Sequence, residues 1–215
     1  MDERERTGAI LDELEKLYPE ARAELSFHNP FETLVATILS AQCTDRRVNK
    51  VTEKLFAECP DARSMLRLSQ EELEERIREC GLFRSKAKNI LAACRALCEQ
   101  YGGEVPSGRE ELEELPGVGR KTAGVVRMAA FGMSEIPVDT HVFRLAHRLG
   151  LSAAPAPEGV EKDLAEKIPP ERRAKAHHLL IWHGRRMCHA RGPQCGACPL
   201  KEKGLCGYGP GRADG

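Results

Sequence analysis

An all-α fold is what this sequence predicts, and three observations carry the expectation. Apolar residues recur at helical spacing in one segment after another, strand-like alternation is scarce, and aromatic residues make up only 5% of the chain. Ile10, Leu11, Leu14 and Leu17 form the first stripe, which stops before Pro19. Ser69 and Glu72 have the spacing of a capping box ahead of Leu73 and Ile77, and Gly81 is placed to end that helix. Ile90, Leu91, Cys94, Leu97 and Tyr101 make the next stripe, ended by Gly102 and Gly103. Glu110 to Leu115 reads as a short helix, Pro116-Gly117-Val118-Gly119 as a tight turn, and Arg120 to Phe131 as the helix that follows. Asp139 is placed to N-cap a helix carrying Val142, Leu145, Ala146 and Leu149. Val160, Leu164 and Ile168 mark a helix before Pro169, and a further one runs from about Glu171 to Met187. Pro and Gly clusters place joints near residues 102–108, 132–137 and 153–159, and the Gly-rich tail after Cys206 reads as loose.

At 215 residues the chain lies between one domain and two. Lys plus Arg and Asp plus Glu are both 33, so nucleic-acid binding cannot be argued from overall charge. The charge is nevertheless uneven. From Glu171 to Arg191 there are six basic residues against one acid, with His177, His178, His183 and His189 among them, whereas Glu71 to Glu79 carries five Glu and two Arg. One positive face on a neutral protein is the expectation. Met1 to Lys16 is charged and has no apolar run, which argues against a signal peptide, and no stretch has the length of a membrane span. A soluble, cytoplasmic protein is expected, in which the nine cysteines are thiols or metal ligands rather than disulfides.

Two glycines in the four-residue turn leave backbone N–H groups unobstructed by Cβ atoms, and the helix N-terminus behind them adds a positive dipole end. Together these make a site for an anion such as a phosphate, although an ordinary helical connection would use glycine as well. Lys121 sits in the first turn of that helix, where the dipole disfavours its ammonium form. An amine freed in this way, or by burial, is a nucleophile. Position alone favours the plainer role of a point charge on phosphate. Asp139 is open to two compatible readings, a helix cap and a carboxylate that stabilises positive charge on a sugar ring.

Cys188, Cys195, Cys198 and Cys206 are separated by six, two and seven residues. Four thiols this close argue for a metal site, and spacing alone does not separate zinc from a [4Fe–4S] cluster. Arg191, Gly192 and Pro193 fall between the first two candidate ligands, where they could form a basic finger. Cys43, Cys59, Cys80, Cys94 and Cys98 lack such spacing and read as packing residues.

The segment Leu115-Pro116-Gly117-Val118-Gly119-Arg120-Lys121-Thr122-Ala123, then Val138-Asp139-Thr140-His141-Val142, then the four cysteines, resembles the endonuclease III family of helix-hairpin-helix DNA glycosylases. Leu39-Ser40-Ala41-Gln42 and Gly81 to Ala87 look like segments of the same family, so the likeness runs in order from about Ala23 to Cys206. An adenine-removing relative shares hairpin and cysteines but lacks the lysine, and it has a glutamate ahead of the glutamine loop where Leu34 to Cys43 contains no carboxylate.

The resemblance implies two all-helical lobes with double-stranded DNA bound across the cleft between them. A six-helix barrel would span residues 22–133, and residues 1–21 with 134–215 would surround a [4Fe–4S] cluster held by Cys188, Cys195, Cys198 and Cys206. A monomeric glycosylase and abasic-site lyase acting on oxidised pyrimidines of the thymine glycol class is implied, with the damaged base flipped out of the duplex. Lys121 would be the nucleophile and Asp139 its electrostatic partner. Gln42 would fill the space of the flipped base and Leu82 would wedge the opposite strand. Pro116, Gly117, Val118, Gly119, Arg120, His141, Arg144 and Arg191 complete the implied DNA contacts. One departure stands out, since the family usually has five residues between its last two cysteines where this chain has seven.

Overall fold

The computed structural model describes residues 2–209, so part of the tail after Cys206 lies outside the described residues. The chain is helical and separates into two compact units, one formed by Ala23–Met133 and the other by Met1–Arg22 together with Ser134–Gly215.

Within the 23–133 unit, α2 (Pro30–Ser40) is the central element. Asn29 caps it by accepting from Glu32 N–H, and Pro30 occupies its first position. Phe31, Leu34, Val35, Ile38 and Leu39 are all buried, and the helix is enclosed on nearly every side. Thr33 and Thr37 are buried too, and their hydroxyls donate back to the Asn29 and Thr33 carbonyls at 2.8 and 2.7 Å. That back-bonding lets polar side chains occupy a core helix without an orphan donor.

Around α2 lie α3 (Asp45–Glu58), α4 (Ala62–Met65), α5 (Gln70–Arg76), α6 (Phe83–Gln100), α7 (Arg109–Glu113) and α8 (Arg120–Phe131). The Ser69 and Glu72 capping box of α5 is present with both hydrogen bonds. Sequence periodicity had not marked α2, α3 or the single turn α4. The five cysteines expected to be packing residues all belong to this core, with Cys59, Cys80 and Cys94 buried and Cys43 and Cys98 packed against it.

The other unit begins with α1 (Glu3–Leu17), capped by an Asp2 and Glu5 box, whose Ile10, Leu11 and Leu14 are fully buried. It packs against α10 (Pro157–Lys167), α11 (Pro170–Arg186) and α12 (Pro199–Glu202), while α9 (Thr140–Arg148) lies along α11. Gly184 permits that close approach, since a Cβ there would stand 3.2 Å from His141 Cβ and 3.0 Å from an Arg144 guanidinium nitrogen. Polar ties reinforce the closure. Arg172 reaches Asp12 at 2.7 Å, Lys175 donates to the Pro19 carbonyl at 2.7 Å, and the Tyr18 hydroxyl meets His183 Nδ1 at 3.1 Å.

The basic run therefore has two parts. Arg172, Arg173 and Lys175 hold the N-terminal segment and neighbouring loops, with Arg173 on the carbonyls of Ile168 and Ser134, and are half-buried. His177 and His183 are buried, leaving Arg185, Arg186 and Arg191 as the exposed basic residues. Charge counting overstated the positive face because it could not tell a guanidinium facing solvent from one capping carbonyls.

Burial holds His178 and His183 near a pKa of about 4, His178 with added repulsion from Lys175. Both imidazoles are neutral at pH 7, whereas in the unfolded chain they take up protons near pH 6.5. The unfolded state thus binds more protons between pH 6.5 and about 4, and stability falls as pH drops through that window. A flat melting temperature above pH 7 and a decline below pH 6.5 are expected. The combined cost near pH 4 is about 6 kcal/mol, and His178→Gln should remove about half of it in a pH series of thermal melts.

Candidate functional site

The turn between α7 and α8 has the geometry that its residues require. Val118 N–H donates to the Leu115 carbonyl at 3.0 Å, and Gly117 has φ 80°, a left-handed conformation. A Cβ on Gly117 would come within 2.8 Å of Asn89 Cβ, so that glycine is demanded both by the backbone and by the neighbouring helix. Val118 turns its side chain into the core, while Gly117, Gly119 and Arg120 are exposed. No side chain caps α8, so its first-turn N–H groups are left for an outside acceptor. Lys121 projects from that turn and is exposed. The burial considered from sequence as a means of activating its amine is thus absent in the free protein.

Gln42 and Leu82 share a property that sequence could not show. They are the non-glycine residues with positive φ among the described residues, at 52° and 58°. Both are exposed, Leu82 by 58%. The structure brings their loops together, because a Cβ built on Gly81 would lie 3.6 Å from the Gln42 carbonyl oxygen. Beneath them Lys86 is buried, with its ammonium donating to the carbonyls of Leu39 and Ala41 at 2.9 and 2.7 Å. Burial pushes that amine's pKa down, an effect opposed by the nearby Cys80 and Cys43 thiols.

Asp139 caps α9 as its position indicated, Oδ1 accepting from His141 N–H and Val142 N–H at 2.8 Å each. Its other oxygen lies 3.4 Å from His141 Nδ1. Burial alone would raise this carboxyl, but the His141 and Val142 hydrogen bonds, with the His177 imidazole nearby, outweigh it and hold the acid well below the usual carboxylate range. The group is a carboxylate at any pH where the protein is folded. His177 Nδ1–H also donates to the Pro137 carbonyl, 2.9 Å away, and so steadies the segment leading to Asp139. Arg144 is engaged inward, on the carbonyls of Gly184 and Cys188 at 3.1 Å each.

Cys188, Cys195, Cys198 and Cys206 line one small recess, together with His183, Met187 and Tyr208. Cys188 follows α11, Cys195 opens a turn of 3-10 helix (Cys195–Ala197), and Cys198 precedes α12. The seven-residue spacing is absorbed by α12 and by Gly204 at φ 67°, after which Leu205 and Cys206 N–H groups both donate to the Leu200 carbonyl. Cys206 is thereby returned to the recess despite the longer loop. Among the described residues no three His, Cys, Asp or Glu donors converge as a single metal ion would require.

Sequence reasoning missed the residues that frame this recess. Arg148 is buried and donates to the His189 and Ala190 carbonyls at 2.7 and 3.1 Å, with another nitrogen contact to Cys188 Sγ at 3.5 Å. His183 Nε2 stands 3.7 Å from Cys198 Sγ.

Known proteins share these features. Endonuclease III of Synechocystis sp. is 51% identical over 205 residues, covering 94% of this chain and 92% of the relative. Endonuclease III of Escherichia coli (strain K12) is 47% identical over 199 residues, covering 93% of each. A solved structure of a trapped endonuclease III–DNA covalent intermediate, an estranged-adenine complex, matches with a TM-score of 0.89 at 47% identity over 96% of both chains. A thermostable thymine-DNA glycosylase matches with a TM-score of 0.84 at 24% identity, covering 95% of this chain and 96% of that one, a likeness of fold. Residues 35–170 match the HhH-GPD superfamily base excision DNA repair protein family. With the hairpin, the lysine behind it and full-length relatives at nearly half identity, the chain belongs to the HhH-GPD superfamily of base excision DNA repair proteins and, within it, to the endonuclease III family.

Proposed function

We propose that this base excision repair glycosylase and abasic-site lyase removes oxidised pyrimidines of the thymine glycol class through Lys121. The observation that carries the reading is an exposed lysine in the first turn of an uncapped helix, directly behind a phosphate-binding turn. The turn grips the backbone and Lys121 Nζ attacks the sugar C1′. The C1′–base bond breaks as the new C–N bond forms, and the base leaves with the bonding pair. Loss of an amine proton and opening of the ring leave a Schiff base. Removal of a C2′ proton then expels the 3′ phosphate by β-elimination. The amine attacks through its lone pair, and the DNA that covers Lys121 excludes water from the reacting atoms. A relative trapped as a covalent intermediate with DNA supports the covalent route.

Asp139, held as a carboxylate, stabilises the positive charge that develops on the sugar. Gln42 and Leu82, exposed side by side, fill the vacated stack and wedge the opposite strand. Pro116, Gly117, Gly119 and Arg120 contact phosphate, Val118 shapes the turn, and Arg191 adds a basic contact. His141 and Arg144 serve at the start of α9, with Arg144 acting chiefly as a strut.

The four cysteines hold a [4Fe–4S] cluster. Each iron of such a cluster takes one thiolate, so four thiols spread around a recess suit it better than they suit one tetrahedral zinc. When bound, the cluster cross-links the end of α11 to the two loops that follow. The enzyme acts as a monomer in the cytoplasm and binds double-stranded DNA.

Lesion range is tested by incubating the protein with duplexes that each carry one defined lesion and measuring strand cleavage. Thymine glycol cleaved at least tenfold faster than 8-oxoguanine is expected, and the reverse preference overturns the substrate assignment. Binding to undamaged duplex should weaken steeply with salt, by about tenfold or more between 50 and 200 mM, through counterion release at Arg120, Arg185, Arg186 and Arg191. Salt-insensitive binding would remove these residues from the interface.

A further inference from the structure

Non-glycine residues held in the left-handed region are strained and persist only where their surroundings enforce them. Gln42 and Leu82 are such residues, and both are exposed, so their own side chains do not enforce anything. What grips both loops is Lys86. Its main-chain N–H donates to the Leu82 carbonyl at 3.0 Å, fixing the entry to α6. Its ammonium, one turn into that helix, crosses to the last carbonyls of α2 and bonds those of Leu39 and Ala41. Ala41 directly precedes Gln42, and the chain turns there with Cys43 N–H donating to the Ser40 carbonyl at 3.1 Å. A cation at a helix C-terminus also answers the negative end of the dipole and the carbonyls that end leaves unpaired. One buried side chain thus links the two strained turns, and Gly81 lies beside the Gln42 carbonyl.

We propose that Lys86 is a positioning residue for lesion extrusion, holding Gln42 and Leu82 as a preformed pair that enters the duplex without reorganising. The proposal rests on the reading of Gln42 and Leu82 as inserting residues. A lysine that merely stabilised the fold would affect every substrate alike. A lysine that sets the pair matters only where a base must be forced out of a stacked duplex.

The test is a single-turnover double-mutant cycle between Lys86→Met and the pair Gln42→Ala/Leu82→Ala, with 2-aminopurine opposite the lesion reporting extrusion. Borohydride trapping on single-stranded abasic DNA, where nothing has to be flipped, is the control. Lys86→Met is expected to slow duplex extrusion at least tenfold while single-strand trapping stays within twofold. In the Gln42→Ala/Leu82→Ala background it should add less than twofold, because the pair it positions is gone. Lys86→Gln, which keeps N–H donors but is shorter and uncharged, should fall between, and it carries the cycle if the methionine variant does not fold. Equal losses on duplex and single strand, or a full tenfold loss in the doubly substituted background, would mean that Lys86 serves stability alone. An impaired Gln42→Ala/Leu82→Ala protein beside an unaffected Lys86→Met overturns the positioning role and leaves insertion intact. Unchanged extrusion by Gln42→Ala/Leu82→Ala itself overturns insertion, and the positioning role with it.

Discussion

Lys121→Ala is expected to abolish covalent trapping by borohydride on abasic duplex and to slow base release by at least about a thousandfold, roughly 4 kcal/mol of barrier. The rival role for this residue, a point charge on phosphate, makes a different forecast. Losing one phosphate contact would weaken binding uniformly and lower the salt slope by about one, with trapping preserved. Full trapping by the alanine variant would therefore end the nucleophile reading. Asp139 offers a matched control, because its two roles separate chemically. Asparagine caps a helix about as well as aspartate, and its carbonyl can still accept from the His141 and Val142 N–H groups. Asp139→Asn should keep its melting temperature yet lose about a hundredfold in rate, the share owed to charge. A variant that unfolds but retains its rate once refolded would return Asp139 to capping alone.

The second large effect concerns the cysteine recess. Purified protein should be brown, with iron and sulfide each near about four per chain. Cys206→Ser is the informative substitution, since the longer loop leads to that thiol. It should strip most of the iron and destabilise the 134–215 segment by about 5 kcal/mol or more, as loss of a structural metal centre does. Cys98→Ser, packed in the other core, should leave the metal content unchanged. Colourless protein with one zinc per chain would reverse the cofactor assignment, and a full complement of iron in Cys206→Ser would remove that residue from the ligand set.

Much of the fold was legible where an apolar stripe stands beside a clear cap, Pro or Gly stop, although α3, with a wet face of its own, was passed over. The stripes of α1, α5, α6, α9, α10 and α11 announce themselves, and the Pro-Gly-Val-Gly turn does so by composition. Helix α2 was not legible because it is buried on nearly all sides and its threonines are buried with the apolar residues, so no charged, solvated face sets off the stripe. The chemistry-bearing types, Lys121, Asp139 and the four cysteines, could be picked out by motif, whereas their surroundings could not. Lys86 stands in Arg84-Ser85-Lys86-Ala87-Lys88, which looks like a solvated stretch. A clue was available, since Lys86 precedes Ile90 by four residues and so falls on the apolar stripe of its helix. His183 and Arg148 carry the same signature, charged or polar types in register with buried neighbours. A polar residue on a core stripe should be read as a question about what it bonds.

The pairing of α1 with the last third of the chain has a consequence for biosynthesis. This helix leaves the ribosome first, yet the partners for Ile10, Leu11 and Leu14 lie on segments made some 150 residues later. At about 5–20 residues per second its apolar stripe stays uncovered for on the order of ten seconds. The Ala23–Met133 unit has all its sequence available in that interval and can close first. Loading of the proposed cluster would come later still, after Cys206 has emerged. The enzyme is thus assembled from the middle outward, and a nascent chain stalled before α10 would present a folded hairpin unit beside a sticky, unpartnered helix α1, a natural target for chaperones.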